Sequence, residues 1–282
     1  MMRKLKINIR KFDLIIVGTG SGNSIPGPEF DDWDIAIVEK GVFGGTCLNV
    51  GCIPSKMLVY AADVAETIRS SERYGIDAKV ESIDWIAIRD RVFGRIDPIA
   101  AGGETYRMSE ECSNITVYKG HGKFLNEQVL QVEDDQGNLT AISGKHIVLG
   151  AGARPFIPPY PGLDEIDFHT SDTVMRVDEL PSTMIILGGG YIATELGHVF
   201  SAFGVDVTLI NRGEKLLKNE DEDVSNRFTQ SQSKRFNLKC GSTVHRVWSD
   251  NDGFHVAFER HGAEEQANAE LVLVAAGRVP NG

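Results

Sequence analysis

Two cysteines, Cys47 and Cys52, are the residues of this sequence whose type and spacing best suit chemistry. A disulfide between them would close a short loop and constrain the unfolded chain by only about 2 kcal/mol. The chain has four cysteines in 282 residues and no recognisable secretory signal, so structural disulfides are not expected. The pair therefore indicates a redox-active dithiol; two buried thiols beside a turn are the alternative. No second Cys/His pair stands at metal-ligand spacing, so no metal site is predicted.

A helix that begins at the second cysteine would position this dithiol. Apolar residues recur at helical spacing from Cys52 to about Arg69, and Pro54 suits a first helical turn. The unpaired N–H groups at a helix N-terminus favour the thiolate form of Cys52. Lys56 lies one turn further along the same helix face and would add positive charge there.

The overall composition is that of a globular chain able to bury a core. Hydrophobic residues make up 41% and charged residues 24%, and the length predicts one large or two ordinary domains. A net charge of -11 argues against a nucleic-acid partner. No apolar run reaches the about 18 residues of a membrane span, so we expect a cytoplasmic protein without a membrane partner.

The first glycine-rich stretch follows a short apolar strand pattern over residues 12–17. Gly18, Gly20 and Gly22 would let backbone N–H groups approach a pyrophosphate. Glu39 ends the next strand pattern, where an acid commonly accepts hydrogen bonds from a ribose. The stretch therefore predicts a dinucleotide site, with an ordinary turn and a surface glutamate as the alternative.

This first turn departs from the usual pattern at its third glycine position. Asn23 stands there, and Pro26 follows three residues later. We therefore expect the helix after the turn to be short or distorted, and we expect the pyrophosphate turn itself to be kept.

The middle of the chain changes its pattern twice. Residues 82–107 predict a helix or a helix pair, with a break near Gly94 or Pro98. Short runs separated by turns follow over residues 115–149 and predict a small antiparallel excursion that returns to the sheet at 147–149.

A stretch rich in glycine and proline, residues 150–162, is the best domain boundary in the sequence. We therefore predict one nucleotide-binding domain over residues 1–153 and a second over residues 154–282.

The second domain carries a complete dinucleotide-binding unit. A strand pattern over 184–187 runs into Gly188, Gly190 and Ala193, and the helix that follows should stop at Gly204. The predicted fold class is α/β, with two Rossmann-like three-layer nucleotide-binding domains and small antiparallel excursions. Further patterns predict a strand over 205–210, a helix over 221–233, and strands over 244–248, 254–258 and 271–274.

The residue after the second strand of this unit distinguishes the two nicotinamide cofactors. An acid at this position would bind the 2′-hydroxyl of NAD and repel the 2′-phosphate of NADP. The sequence has Asn211 there, followed by Arg212, with Lys218 nearby. Because a guanidinium can bind a phosphate through two hydrogen bonds, NADPH is the predicted cofactor; Lys215 is better explained as a solvated surface cation.

Two dinucleotide units flanking a Cys-x4-Cys helix resemble the class I pyridine nucleotide-disulfide oxidoreductases, which are flavoprotein disulfide reductases. The resemblance covers nearly the whole chain. It implies that the first unit binds FAD, that the second binds NADPH, that Lys56 pairs with Glu195 beside the flavin, and that Tyr191 covers the nicotinamide pocket. The predicted catalytic residues are Cys47, Cys52, Lys56 and Glu195. The predicted cofactor-binding residues are Gly18, Gly20, Ser21, Gly22, Glu39, Lys40, Gly45, Thr46, Lys56, His121, Gly122, Gly152, Gly188, Gly190, Tyr191, Ile192, Glu195, Asn211, Arg212, Lys218 and Gly277.

The resemblance also implies an order of electron transfer. Hydride passes from NADPH to FAD, the Cys47–Cys52 disulfide is reduced through Cys52, and Cys47 attacks a small disulfide substrate. In the family the catalytic base is a histidine of a C-terminal domain from the partner subunit of a homodimer, and no residue before Gly282 matches it. We therefore expect this chain to be the N-terminal part of the enzyme; a nucleotide-binding fragment without turnover is the alternative.

The substrate expectation rests on two short stretches. Residues 18–26 and 89–98 are similar to the mycothione reductases within this family, which reduce the disulfide of mycothiol. Lipoamide, glutathione disulfide and mercury are the alternative substrates within the same family.

Overall fold

The computed structural model describes residues 9–282, which form two compact units. Unit one contains the described chain up to Asn49, Gly94–Ala153 and Pro280–Gly282, and unit two contains Val50–Phe93 and Arg154–Val279. Most of the N-terminal stretch searched for a secretory signal lies outside the described residues. The assignment of one cofactor to 1–153 and the other to 154–282 stays a prediction.

Most of the helices lie close to the positions that the sequence predicts, whereas the short first helix was not predicted. The α-helices are α1 Gly45–Asn49, α2 Cys52–Arg69, α3 Trp85–Arg107, α4 Tyr191–Ala202 and α5 Glu222–Gln232. Short 3-10 turns cover Ser21–Ser24, Pro28–Phe30, Ser71–Tyr74, Glu110–Cys112, Leu163–Glu165 and Val174–Arg176. Within the described part of the chain, no helix is both long enough and apolar enough to cross a membrane.

The strands form two larger sheets and two smaller ones. Those of unit one are β1 Arg10–Val17, β2 Ile35–Glu39, β3 Ile115–Lys119, β4 His121–Asn126, β5 Val129–Glu133 and β6 Leu139–Leu149. Two short strands, β7 Ala153–Pro155 and β16 Arg278–Pro280, pair with each other. Unit two contains β8 His169–Thr170, β9 Thr183–Leu187, β10 Asp206–Asn211, β11 Asn237–Cys240, β12 Ser242–Asp250, β13 Gly253–Arg260, β14 Ala263–Ala269 and β15 Leu271–Val274.

Unit one is built on a six-stranded sheet in the order β3-β2-β1-β6-β5-β4. Strands β3, β2, β1 and β6 are parallel, whereas β4, β5 and β6 form an antiparallel arm. Successive residues of β1 face opposite cores: Ile15 packs with Val38 and Leu130, while Ile16 packs with Phe43 on the other face. Burial on both faces explains the unbroken apolar run of this strand.

The antiparallel excursion was predicted over 115–149, and the structure corrects its start. Residues 115–119 form β3, which pairs in parallel with β2 and so belongs to the main sheet. The excursion consists of β4 and β5 and returns through β6, which pairs with β1 up to Leu149. The sequence pattern does not reveal this difference, because parallel and antiparallel strands of similar length and polarity have similar patterns.

The predicted break in the second long helix was wrong. Helix α3 runs through Gly94 and Pro98 without interruption. Proline removes one backbone hydrogen bond from the helix ladder. Val92, Ile96 and Ala100 are buried on the same side of this helix, so packing on both sides of Pro98 compensates for the lost bond.

Unit two has three layers. Its five-stranded parallel sheet has the order β11-β10-β9-β15-β8, and α4 packs on one face of it. The three-stranded antiparallel sheet β12-β13-β14 covers the other face, where Val247 and Phe258 join Ile185 and Val272 in one core. Helix α4 ends before Gly204, whose φ of 98° is left-handed, as the sequence predicted. The α/β fold class with Rossmann-like units is confirmed.

Candidate functional site

The two glycine turns are built alike, one in each unit. The N–H of Gly18 donates to the carbonyl of Val38 at 2.8 Å, and the N–H of Gly188 donates to the carbonyl of Ile210 at 2.9 Å. Both glycines have positive φ, 96° and 139°. A Cβ at either would collide with a backbone carbonyl across the sheet, so only glycine fits the first position of each turn.

Each turn has backbone N–H groups that precede its first internal hydrogen bond and are therefore available to a ligand. In unit one that bond runs from the N–H of Asn23 to Gly20, at 3.0 Å, which leaves the N–H groups of Ser21 and Gly22 without an acceptor inside the turn. In unit two the N–H of Thr194 bonds to Gly190 at 3.1 Å at the start of the twelve-residue helix α4. Such donors bind phosphate groups, and they are fewer in unit one because only a 3-10 turn follows.

Asn23 replaces the usual third glycine of the first turn, and its amide is held in place. Arg107, the last residue of α3, donates through Nε to Oδ1 of Asn23 at 2.9 Å and through Nη2 to its carbonyl at 2.6 Å. The 3-10 turn Ser21–Ser24 that follows is as short as predicted. The sequence showed no sign of this partnership.

The carboxylate of Glu39 lies at the end of β2, where a ribose-binding acid was predicted. Its Oε2 accepts from the N–H of Thr19 at 2.8 Å and from the Thr19 hydroxyl at 2.7 Å, and its Oε1 accepts from Gly41 at 2.8 Å. Thr19 Oγ1 also accepts from the N–H of Gly44 at 3.1 Å. The buried Thr19 therefore joins the acid, the glycine turn and the stretch that leads to the dithiol.

The dithiol stretch begins in the short helix α1 of unit one. Cys47 lies on this helix with an exposed thiol. Asn49 ends the helix, and its buried side-chain amide donates to the carbonyls of Phe43 and Gly45 at 2.8 and 3.0 Å. Sequence reasoning missed Asn49, although an asparagine between two cysteines and next to a glycine pair is a typical backbone-binding residue.

Helix α2 of unit two begins at Cys52, whose thiol is also exposed. Lys56 follows one turn later, and its ammonium forms an ion pair with Glu195 on α4. The side chain of Lys56 is 61% exposed and that of Glu195 is 35% exposed, so each has solvent-facing surface as well. The pairing expected from the resemblance is thus present, and it links the helix that starts at a cysteine to the helix that starts at a glycine turn.

The loop after β10 is held by Asn211 rather than left open. The Asn211 amide donates to the carbonyls of Gly213 and Lys215 at 2.8 and 2.9 Å. The N–H of Leu217 donates to Gly189 at 2.8 Å, and Leu217 has an unusual φ of 51°. The side chain of Asn211 thus holds the loop by bonding to the backbone of the loop, a structural role that the sequence did not predict. The contact of Asn211 with a cofactor stays a prediction.

The cations of this loop differ in their partners. Lys215 pairs with Glu222 at 3.0 Å, in agreement with a surface role. Arg212 and Lys218 are exposed, and neither forms an ion pair among residues 9–282. Two unpaired cations on a loop anchored to the second glycine turn suit an anionic ligand.

Two titratable groups beside this loop are perturbed by burial. Burial raises the pKa of the Cys240 thiol, and the nearby Asn211 amide partly offsets that rise. Burial also raises the pKa of Tyr160, and the positive charge of Arg212 opposes the change. Both groups therefore stay protonated near neutral pH, so neither adds a negative charge beside Asn211 or Arg212.

The remaining predicted cofactor residues are placed as follows, and their binding roles stay predictions. Lys40 follows β2, Gly45 and Thr46 begin α1, His121 and Gly122 begin β4, Gly152 follows β6, Gly190 precedes α4, Tyr191 and Ile192 begin α4, and Gly277 precedes β16. The Tyr191 side chain is 66% exposed, so its ring is accessible at the start of α4.

A group of possible metal ligands, absent from the sequence prediction, lies on the three-stranded sheet. Ligand atoms of His245, Glu259 and Glu264 lie within 4.8 Å of one another on the exposed face. The sequence predicted no metal site, and it does not reveal this group because the three residues lie on three different strands. His245 Nδ1 is 3.4 Å from Glu264, as in an ordinary surface ion pair.

Known proteins are similar to this chain over nearly its whole length. The chain is 47% identical over 274 residues to mycothione reductase of Mycobacterium tuberculosis, a match that covers 96% of this chain and 58% of that protein. It is 32% identical to mercuric reductase of Bacillus cereus, covering 95% of this chain and 42% of that protein. The chain thus spans only 58% and 42% of the lengths of these two relatives.

A solved structure has a similar fold. The copper(II) complex of the HOCl-induced flavoprotein disulfide reductase RclA from Escherichia coli matches with a TM-score of 0.81 and 25% identity, covering 97% of this chain and 58% of that one. The family model described as pyridine nucleotide-disulphide oxidoreductase matches residues 12–282. This range includes both glycine turns and the two cysteines of the predicted dithiol, Cys47 and Cys52. The chain therefore belongs to the pyridine nucleotide-disulphide oxidoreductase family.

Proposed function

We propose that the protein is an NADPH-dependent flavoprotein disulfide reductase whose substrate is mycothione, the disulfide of mycothiol. The observation that carries this proposal is the Lys56–Glu195 ion pair, which joins the helix beginning at Cys52 to the helix beginning at the second glycine turn. The identity of 47% to a mycothione reductase favours that substrate over lipoamide, glutathione disulfide or mercury. The proposal includes a homodimer and a cytoplasmic location.

The residues of unit one fit FAD. Only glycine fits at the first position of the turn, Gly18, the N–H groups of Ser21 and Gly22 suit a pyrophosphate, and Glu39 offers lone pairs to a ribose. The residues of unit two fit NADPH in the same way, because α4 supplies N-terminal donors while Arg212 and Lys218 suit a 2′-phosphate. When bound, these cofactors supply hydride transfer and a two-electron path to the dithiol.

The residues of the chain then divide the thiol chemistry between them. Cys52 is the first residue of α2 and lies beside the unpaired N–H groups of that helix. The thiolate of Cys47 attacks one sulfur of the substrate disulfide, which forms a mixed disulfide and releases the first thiol. Cys52 then attacks Cys47, which releases the second thiol and re-forms the Cys47–Cys52 disulfide. Lys56, held by Glu195, places a positive charge one turn from Cys52.

The flavin spectrum of single-cysteine variants tests this division. We expect the chain purified with FAD to show flavin absorbance and, after reduction, a long-wavelength thiolate–flavin band. Cys47→Ser should keep that band and Cys52→Ser should abolish it. Cys112→Ser is the matched control, because Cys112 is buried in unit one and has no role in the proposal. Absence of bound flavin, or the reverse pattern of bands, would contradict the proposal.

A substrate panel tests the finer assignment. The whole protein would be supplied with NADPH and, in turn, with mycothione, lipoamide, glutathione disulfide and mercuric ion. The proposal expects kcat/KM for mycothione to exceed the others. Preference for another acceptor would leave the reductase assignment standing and refute the substrate.

A further inference from the structure

The strongest feature without an assigned role is a row of polar contacts between α2 and α4 of unit two. Three such contacts, here called tethers, follow one another along both helices in the same direction, so the helices run parallel. The tethers join Lys56 to Glu195, Asp63 to His198, and Arg69 to the carbonyl of Ala202. The buried side of α2 carries the small side chains of Ala62 and Ala65 together with the larger Leu58.

Small buried residues allow close approach but do not by themselves set how far one helix slides along the other. Where the buried residues are small, few ridges and grooves interlock, so polar contacts add to the control of the register. Lysine and arginine side chains have many rotamers, so the two outer tethers resist a displacement less strongly than a short, stiff side chain does. The central tether is different, because the imidazole ring of His198 has only two side-chain torsions.

The environment of His198 fixes its orientation. The ring is 16% exposed, and its Nε2 lies 2.8 Å from a carboxylate oxygen of Asp63. Its Nδ1 is buried and has no hydrogen-bond partner within the described chain. Since a buried N–H at Nδ1 would be left unsatisfied, Nε2 carries the proton and donates to Asp63.

His198 lies on α4 one turn beyond Glu195, and Asp63 lies on α2 two turns beyond Lys56. A shift of α2 along α4 would therefore break the Asp63–His198 bond and change the distance between Lys56 and Glu195 together. We infer that His198 is a positioning residue that sets the axial register of α2 on α4 and thereby holds Lys56 against Glu195. The value of that register for catalysis rests on the proposed function, whereas the register itself does not.

The reactivity of Lys56 toward an acylating reagent tests the inference in the chain without added cofactor. Mass spectrometry of the peptides gives the labelling rate of each lysine. Glu195→Gln, which breaks the ion pair directly, should accelerate labelling of Lys56 by about 1.4- to 5-fold, the range that exposed ion pairs are worth. His198→Leu should accelerate it by a similar factor, and His198→Gln, whose amide can still donate to Asp63, should stay near the wild-type rate.

Two lysines of the same unit serve as internal controls. Lys215 pairs with Glu222, and Lys239 pairs with Glu265 at 2.7 Å, both away from α2. Their labelling rates should not change in any of these variants. Asp63→Ala removes the same central tether by changing its exposed residue, and its labelling rate at Lys56 should match that of His198→Leu. This variant tests the tether even if the buried substitution at His198 impairs folding.

Three outcomes would overturn the inference. These are an unchanged rate at Lys56 in Asp63→Ala, a rate in His198→Gln as fast as in His198→Leu, and equal acceleration at all three lysines. Because labelling needs neither FAD nor NADPH, a failed flavin-binding experiment would refute the proposed function and leave this result intact.

Discussion

Glu39 shows how a binding residue is prepared before any ligand arrives. Its two carboxylate oxygens accept three hydrogen bonds, two of them from Thr19. Thr19 is only 1% exposed, so its hydroxyl has no water to replace these partners. A carboxylate oriented in this way loses less conformational entropy when a ribose binds to it.

Thr19→Val removes the hydroxyl while keeping the shape of the side chain. The N–H of Gly44 loses its acceptor and Glu39 loses one donor. We expect the free energy of unfolding to fall by about 1–3 kcal/mol. We expect FAD to bind about tenfold more weakly, which corresponds to 1.4 kcal/mol. Denaturant unfolding and flavin fluorescence titration measure the two effects. Thr19→Ser, which keeps the hydroxyl, is the control, and a Thr19→Val variant equal to it would refute the role of this hydroxyl.

Residue types alone could predict part of this site. Cys47, Cys52 and the glycines were found from their spacing, and the structure exposes the two thiols at or near helix starts. The partners of Asn23 and Asn211 could not be found in this way. The partner of Asn23 is the side chain of Arg107, 84 positions away, and the partners of Asn211 are carbonyls of a loop whose shape the fold sets.

At the scale of elements, α5 supports the loop that carries Arg212 and Lys218. The hydroxyl of Ser225 donates to the carbonyl of Leu216 at 2.6 Å, and the hydroxyl of Thr229 accepts from its N–H at 2.9 Å. Both backbone groups of the buried Leu216 are thus satisfied by one helix face. The shape of the predicted 2′-phosphate site therefore depends on a helix that contributes no cation to it.

Ser225→Ala should loosen this loop. The variant leaves the carbonyl of Leu216 unsatisfied, and Ser225 is 3% exposed, so we expect a loss of about 1–3 kcal/mol in unfolding free energy. Binding of adenosine 2′,5′-bisphosphate, measured by calorimetry, should weaken in parallel. Ser233→Ala is the matched control, since that hydroxyl bonds at 3.0 Å in an exposed position and should change stability by less than about 0.5 kcal/mol. Unchanged binding in Ser225→Ala would refute the dependence.

Elements were predicted well where periodicity is strong and poorly where it is weak. Helix α2 was predicted with the bounds that it has, because its buried positions recur at helical spacing. Strand β14 was not predicted, because it is an edge strand of mostly polar residues and pairs only with β13. The predicted break in α3 was wrong, because burial of residues on both sides of Pro98 outweighs the tendency of proline to end a helix.

At the scale of the whole molecule, each unit has a hydrophobic core of its own. The core of unit one includes Ile15 and Ile142, and that of unit two includes Ile185 and Phe258. A chain with two cores need not unfold in one step. A ligand that binds one folded unit stabilises that unit by mass action.

Differential scanning calorimetry with two ligands should therefore separate the units. Adenosine 2′,5′-bisphosphate should raise the transition of unit two, and FAD should raise that of unit one, each by about 2.7 kcal/mol at one hundred times its dissociation constant. The chain without ligand and with adenosine alone provides the baselines. A single transition that both ligands move would contradict the assignment of one nucleotide to each unit.

The bond between Arg107 and Asn23 has a consequence for how this family can vary. The two residues are 84 positions apart, and the guanidinium makes two contacts that only this pairing provides. Glycine at position 23 would leave Nε of Arg107 without its side-chain acceptor, whereas asparagine provides one. The two positions therefore depend on each other, and we expect arginine at position 107 to accompany asparagine at position 23 among related sequences.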